Sequence, residues 1–174
     1  MKKAIFLDRD GVINKAILKD GKPFSPRRFE EFKLFNGIRE VLEKFRKKEF
    51  LNIIVTNQPD IARGLIKTET LEKMHKFIEE NLPIDDIFVC PHDDIDNCHC
   101  RKPKPGMLLE AAEKWHINLK GSFIIGDSWK DIEAGKAAGC ATVLLDNLYN
   151  KEVEADFRAR DIDLAMKIIL NGGT

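Results

Sequence analysis

Ala4-Ile5-Phe6-Leu7-Asp8-Arg9-Asp10-Gly11-Val12-Ile13-Asn14 opens the chain with an apolar run that stops abruptly at two carboxylates and a glycine. An apolar run without polar alternation predicts a strand buried on both faces, as in a parallel sheet. Asp8 and Asp10 then fall just past its C-terminal end, where open α/β sheets place their ligands.

The same grammar repeats downstream. Leu51-Asn52-Ile53-Ile54-Val55 reads as a second strand running into Thr56-Asn57-Gln58-Pro59, and Ser122-Phe123-Ile124-Ile125-Gly126 as a strand stopping at Asp127. Asp86-Ile87-Phe88-Val89 and Ala141-Thr142-Val143-Leu144-Leu145 complete a set of five strands. Between them lie helical patterns: Ile38, Val41, Leu42 and Phe45 at i, i+3, i+4, i+7; Leu71, Met74, His75 and Ile78 on one face after Thr68 as N-cap; Leu108, Ala111, Ala112 and Trp115 after Pro105-Gly106. A fourth helix starts near Ser128 and ends at Gly139, and a last one turns Ile162, Ala165, Met166 and Ile169 inward. Strand–helix alternation predicts an α/β fold, a three-layer α/β/α doubly wound sheet, mostly parallel. Residues 15–36 form a long irregular connection leaving the first strand end, a candidate substrate loop.

The 174 residues show no linker or repeat and fit one domain, 1–174. Lys plus Arg balance Asp plus Glu at 29 each, so no global charge points to nucleic acid or membrane. No apolar run approaches the roughly 20 residues of a membrane span, and Met1-Lys2-Lys3 leads straight into a strand. We therefore expect a cytoplasmic protein, and a monomer.

In a parallel sheet the ends carrying Asp8/Asp10, Thr56/Asn57 and Asp127 face one edge and converge. Each has a bland reading alone: an Asp-Gly turn, a cap, a helix start with Ser128 as N-cap and Asp131 at N3. Together they leave a carboxylate cluster that needs a counter-charge, and oxygen-only ligands suit Mg²⁺. The complement is Arg101-Lys102-Pro103-Lys104-Pro105-Gly106, whose Lys at such a site would neutralise phosphoryl oxygens.

Leu7-Asp8-Arg9-Asp10-Gly11-Val12, Thr56-Asn57-Gln58, Arg101-Lys102-Pro103 and Gly126-Asp127-x₃-Asp131 resemble, in order, the four motifs of the haloacid dehalogenase superfamily of phosphatases. The resemblance implies a Rossmann-like sheet and hydrolysis through an aspartyl-phosphate on Asp8. It implies Asp10 as acid and base, and Thr56, Asn57 and Gln58 around the phosphoryl group, with Lys102 stabilising its charge. Asp127 would ligate Mg²⁺ with Asp8 and the Asp10 carbonyl, and Asp131 would act through water or neighbouring contacts.

Cys90-x-His92-x₅-Cys98-x-Cys100 supplies three sulfurs and one imidazole, a closed set suited to structural Zn²⁺, with His99 as a spare donor. Cys140 reads as a buried small hydrophobe. The cysteine loop adjoins Arg101, which we expect to meet a distal phosphate; Arg63 is a second candidate substrate contact. Cys-Pro-His…Cys-x-Cys-Arg-Lys-Pro is similar to two bacterial phosphatase groups without a large cap domain, acting on heptose bisphosphate and on histidinol phosphate. Thr56-Asn57-Gln58-x-x-Ile61-Ala62-Arg63-Gly64 and Lys104-Pro105-Gly106-Met107 look like the heptose group. The implied substrate is a small phosphorylated sugar, the 7-phosphate of a D-glycero-D-manno-heptose 1,7-bisphosphate. Histidinol phosphate, or a silent zinc-stabilised binding domain, are the alternatives.

Overall fold

The computed structural model describes residues 1–172, so the last two residues of the expected 1–174 domain lie outside the described residues. The first strand, β1 (Lys3–Leu7), is followed by β2 (Ile17–Lys19) and β3 (Lys22–Phe24), then α1 (Ile38–Lys47), β4 (Phe50–Asn57), α2 (Thr68–Asn81) and β5 (Asp86–Cys90). The second half runs α3 (Gly106–Trp115), β6 (Phe123–Gly126), α4 (Trp129–Ala138), β7 (Ala141–Leu145), β8 (Phe157–Ala159) and α5 (Ile162–Leu170).

Six strands form one sheet in the order β5-β4-β1-β6-β7-β8, and every pairing is parallel. Alternate residues of β1 explain the layering. Ile5 and Leu7 join Ile54, Ile125 and Val143 against α1, α2 and α5, whereas Ala4 and Phe6 join Ile53, Val55 and Ile124 against α3 and α4. A strand covered on both faces has no polar side, which is why β1 reads as an unbroken apolar run. In α1, Ile38, Val41, Leu42 and Phe45 are all buried, each contributing on the order of 1.5–3 kcal/mol relative to exposure.

Three features differ from the sequence reading. The sheet has a sixth strand, β8, too short to show a pattern. The irregular connection contains an antiparallel hairpin, β2–β3, whose turn residues Asp20 and Gly21 have φ of 49° and 72°. Thr68 is the first residue of α2 rather than its cap; Lys67 takes the cap position without a side-chain bond. Ser128 does cap α4, in a capping box with Asp131. Among the described residues the connection after β1 adds only this short hairpin and no large cap domain.

The chain leaves β1 toward β4 and later enters β6 on the other side of β1. The strand order reverses there, and the crevice at such a switch point is where doubly wound sheets hold ligands.

Candidate active site

Asp8 leaves β1 at this crevice, and the backbone then folds back on itself. The Arg9 carbonyl accepts hydrogen bonds from the Ile13 and Asn14 N–H groups at 2.8 and 3.0 Å. Gly11 makes the turn with φ of 94°, and a Cβ there would overlap the Asp127 carboxylate. A Cβ on Gly126 would likewise overlap Asp131. These glycines let two acidic side chains press against the main chain.

Asp8, Asp127 and Asp131 bring carboxylate oxygens within 4.8 Å of one another. The one cation among them is Lys102, whose Nζ lies 2.8 Å from Asp8 Oδ1, 2.6 Å from Asp131 Oδ1 and 2.7 Å from the Val55 carbonyl. Asn57 fixes that loop: its amide donates to the Lys102 carbonyl and its Oδ1 accepts from the Lys102 N–H, each at 3.0 Å.

Three carboxylates, two of them buried and Asp8 only partly exposed, against one ammonium leave excess negative charge. Burial, with repulsion from Asp131, Asp127 and Asp10, holds Asp8 well above the usual carboxylate range despite Lys102. Burial and Asp131 raise Asp127 to about 7, with Tyr149 and Lys102 acting in the other direction. Burial disfavours the Lys102 ammonium, but Asp131 and Asp8 outweigh it and raise its pKa. A hard divalent cation would relieve this repulsion, and an all-oxygen donor set fits Mg²⁺.

Asp10 faces different company. The wholly buried Arg9 places Nη2 3.0 Å from both Asp10 oxygens, while Asn14, Ser25 and Gln58 donate at 2.9, 2.7 and 2.8 Å. Burial favours the protonated acid, but Arg9 and these donors outweigh it and lower its pKa. Arg9 Nη1 also lies 3.1 Å from His75 Nε2. Burial and Arg9 depress His75 to about 4, so a neutral imidazole accepts from the guanidinium.

The cleft above these groups, about 200 Å³, is lined by Asp8, Asp10, Asn57, Arg101, Lys102, Asp127 and Asp131, with Phe24 and Ser25 from the hairpin side. The expected substrate contacts divide. Arg101 lines the cleft and is held by Asp94 at 2.6 Å and the His92 carbonyl at 3.2 Å. Asn57 lines it too, but its side chain is engaged with Lys102. Thr56 and Gln58 lie buried behind it, joined by a 2.9 Å bond from Gln58 Nε2 to Thr56 Oγ1. Arg63 is not brought to the cleft; Asp93 pairs with it at 2.6 Å and Asp60 at 3.6 Å.

Beside the cleft, Cys90 and Cys98 sulfurs lie 3.6 Å apart and Cys98 and Cys100 3.4 Å, with His92 Nδ1 at 3.7 and 3.4 Å from Cys90 and Cys100. A zinc tetrahedron with bonds of about 2.3 Å has edges of about 3.7 Å, so the quartet fits Zn²⁺. His99 stands outside it, and Cys140 is buried elsewhere.

Sequence reasoning missed Arg9, Ser25 and Tyr149. Tyr149 donates its phenol proton to Asp127 Oδ2. None of the three carries a local signal; each acts through a contact made by folding.

A family model described as HAD-hydrolase-like matches residues 99–165. The chain is 39% identical over 158 residues to the D-glycero-alpha-D-manno-heptose-1,7-bisphosphate 7-phosphatase of Campylobacter jejuni, covering 86% of each chain. It is 36% identical to the corresponding beta-named enzyme of Bordetella bronchiseptica, over 82% of this chain and 80% of that one. The crystal structure of D,D-heptose 1,7-bisphosphate phosphatase from B. bronchiseptica, complexed with magnesium and phosphate, aligns with a TM-score of 0.84 at 30% identity, over 98% and 99% of the two chains. No helix among the described residues is long and apolar enough to cross a membrane.

Proposed function

The chain belongs to the D-glycero-D-manno-heptose-1,7-bisphosphate 7-phosphatases of the haloacid-dehalogenase-like hydrolases, and on that premise we propose that it removes the 7-phosphate of a heptose 1,7-bisphosphate. The reading includes a cytoplasmic monomer acting on a small phosphorylated sugar, without nucleic acid or membrane as partner. The observation that carries it is the meeting of Asp8, Asp127, Asp131 and Lys102 at one strand edge, beside a separately held Asp10.

Asp8 is the nucleophile. Its oxygen attacks phosphorus, the bond from phosphorus to the sugar oxygen breaks, and the phosphoryl group passes to the carboxylate. Asp10 gives the departing oxygen its proton, then takes one from the water that cleaves the aspartyl-phosphate. Its resting ionised form is the base of that second half. A dianionic phosphate beside it raises its proton affinity for the first.

Lys102 stabilises charge on the phosphoryl oxygens, which requires it to turn from Asp8 toward the substrate. The Thr56 hydroxyl accepts from Gln58 and keeps its own proton to donate. Asn57 orders Lys102. Gln58 orients Asp10 and Thr56, and Arg101 meets the distal phosphate.

Asp8, Asp127 and the Asp10 carbonyl, with Asp131 nearby, would hold Mg²⁺, which when bound offsets the repulsion between an anionic nucleophile and an anionic phosphate. Zn²⁺ held by Cys90, His92, Cys98 and Cys100 would be structural, ordering the loop that carries Arg101 and Lys102.

The test is kcat/KM for both anomers of the heptose bisphosphate and for histidinol phosphate, on wild type and Asp8→Asn. The reading expects a large preference for a heptose bisphosphate and no turnover by the variant. A preference for histidinol phosphate would overturn the substrate, and a fully active variant the mechanism.

A further inference from the structure

We propose that the loop Asn147-Leu148-Tyr149-Asn150 tunes the affinity of the carboxylate cluster for its divalent cation, with Tyr149 as a positioning residue for Asp127. The proposal rests on the reading of that cluster as a Mg²⁺ site.

The loop grips Asp127 at both its backbone and its side chain. Asn150 and Asn147 donate their Nδ2 groups to the Asp127 carbonyl at 2.8 and 3.4 Å, and the Tyr149 phenol donates to Oδ2. The loop also locks itself. Asn150 Oδ1 accepts from the Asn147 N–H at 3.1 Å, Asn147 Oδ1 accepts from the Tyr149 N–H at 3.2 Å, and Asn150 Nδ2 reaches the Leu145 carbonyl at 2.7 Å.

Apolar burial is not what places this segment. Leu148 is 87% exposed and Tyr149 38%, whereas the polar Asn150 is 2% exposed. Its ordering comes from hydrogen bonds directed at Asp127 and at the end of β7. On the other side, Gly11 is so close to the Asp127 carboxylate that a methyl group would not fit. With Oδ2 held by the phenol and Gly11 packed against the group, rotation of the carboxylate is restricted and Oδ1 is left for a cation. Partners that orient a metal-binding carboxylate in this way typically change metal affinity by about 10- to 100-fold when removed.

Tyr149 is the only tyrosine in the chain, and Tyr149→Phe removes the hydroxyl alone. Mg²⁺ binding is measured by titration calorimetry on the zinc-loaded full chain for wild type, Tyr149→Phe and Leu148→Ala, with thermal midpoints taken before Mg²⁺ is added. We expect Tyr149→Phe to weaken the Mg²⁺ Kd roughly tenfold. The activity-against-Mg²⁺ curve should move by the same factor, with a metal-free midpoint lowered by no more than a few degrees for the one lost bond and a wild-type Kd for Leu148→Ala. An unchanged or tighter Kd in Tyr149→Phe overturns the proposal, and so does a lowered midpoint with an unchanged Kd, which marks a purely structural role. Equal weakening in Leu148→Ala assigns the effect to the loop at large and overturns the role of the phenol. A wild type that binds no Mg²⁺ overturns the underlying site reading as well.

Discussion

Lys102 Nζ lies 2.8 Å from Asp8 Oδ1, so the cation carried by the loop after the cysteine cluster meets the carboxylate that ends β1. Neither is stable there alone. Removing Lys102 leaves the partly buried Asp8 and the buried Asp131 with no ammonium between them.

Lys102→Met should therefore lower kcat/KM by about 10²–10³, the range for losing one preorganised charge-stabilising donor. Steady-state kinetics at saturating Mg²⁺ checks this. Activity within threefold of wild type would remove Lys102 from the mechanism.

Stability should depend on pH in two opposed ways. Asp127, raised to about 7 from 3.8 by burial and by Asp131, binds a proton in the folded state that it lacks unfolded. The metal-free protein thus loses stability from this group as pH rises from about 4 through 7. His75, depressed to about 4 from 6.5, acts the other way: stability it contributes at neutral pH is lost as pH falls through that interval. Each effect is of order a few kcal/mol at most. Chemical denaturation of wild type and Asp127→Asn across this range separates them. The variant should lack the decline toward pH 7, and Mg²⁺ should abolish that decline in wild type.

Gly11→Ala places a methyl group against Asp127 in a backbone conformation with φ of 94°. The left-handed conformation alone costs a non-glycine residue about 1–2 kcal/mol. The variant should be destabilised by at least that much and bind Mg²⁺ more weakly. Wild-type stability and affinity together would contradict the tight approach of Gly11 to Asp127.

Chelating the zinc should lower the melting temperature and weaken the heptose bisphosphate more than a simple aryl phosphate. Arg101 is held by the His92 carbonyl and Asp94, on the loop that the quartet closes. Equal losses on both substrates would uncouple Arg101 from the distal phosphate.

Much of this site is legible in the sequence because chemistry sits where apolar runs stop. Asp8, Asp127 and Thr56 end or follow strands, and parallel topology brings those ends together without knowledge of any contact. The hairpin β2–β3 turns on Asp20-Gly21, a pair suited to a two-residue turn, but its three-residue strands give too little alternation to read, and the segment reads as an irregular connection. β8 is hidden for the same reason. Arg9 lies next to Asp10 in sequence, yet its total burial follows from His75 and Phe32, brought from α2 and from the connection before α1. Asn57 and Gln58 belong to the motif as expected, but their amides are engaged with the Lys102 backbone and with Asp10. A motif gives proximity; the bonds decide which atoms remain free. Tyr149 depends on a loop closing over the strand ends, and no periodicity encodes that.

Whether Asp8 is the nucleophile is decided by quenching the enzyme in acid during turnover and mapping the phosphoryl group by mass spectrometry. A phosphoryl adduct on Asp8 should form and decay at catalytically competent rates, and none should form in Asp8→Asn. Full-rate phosphate release with Asp8 unmodified throughout, or an adduct on another residue, would contradict it.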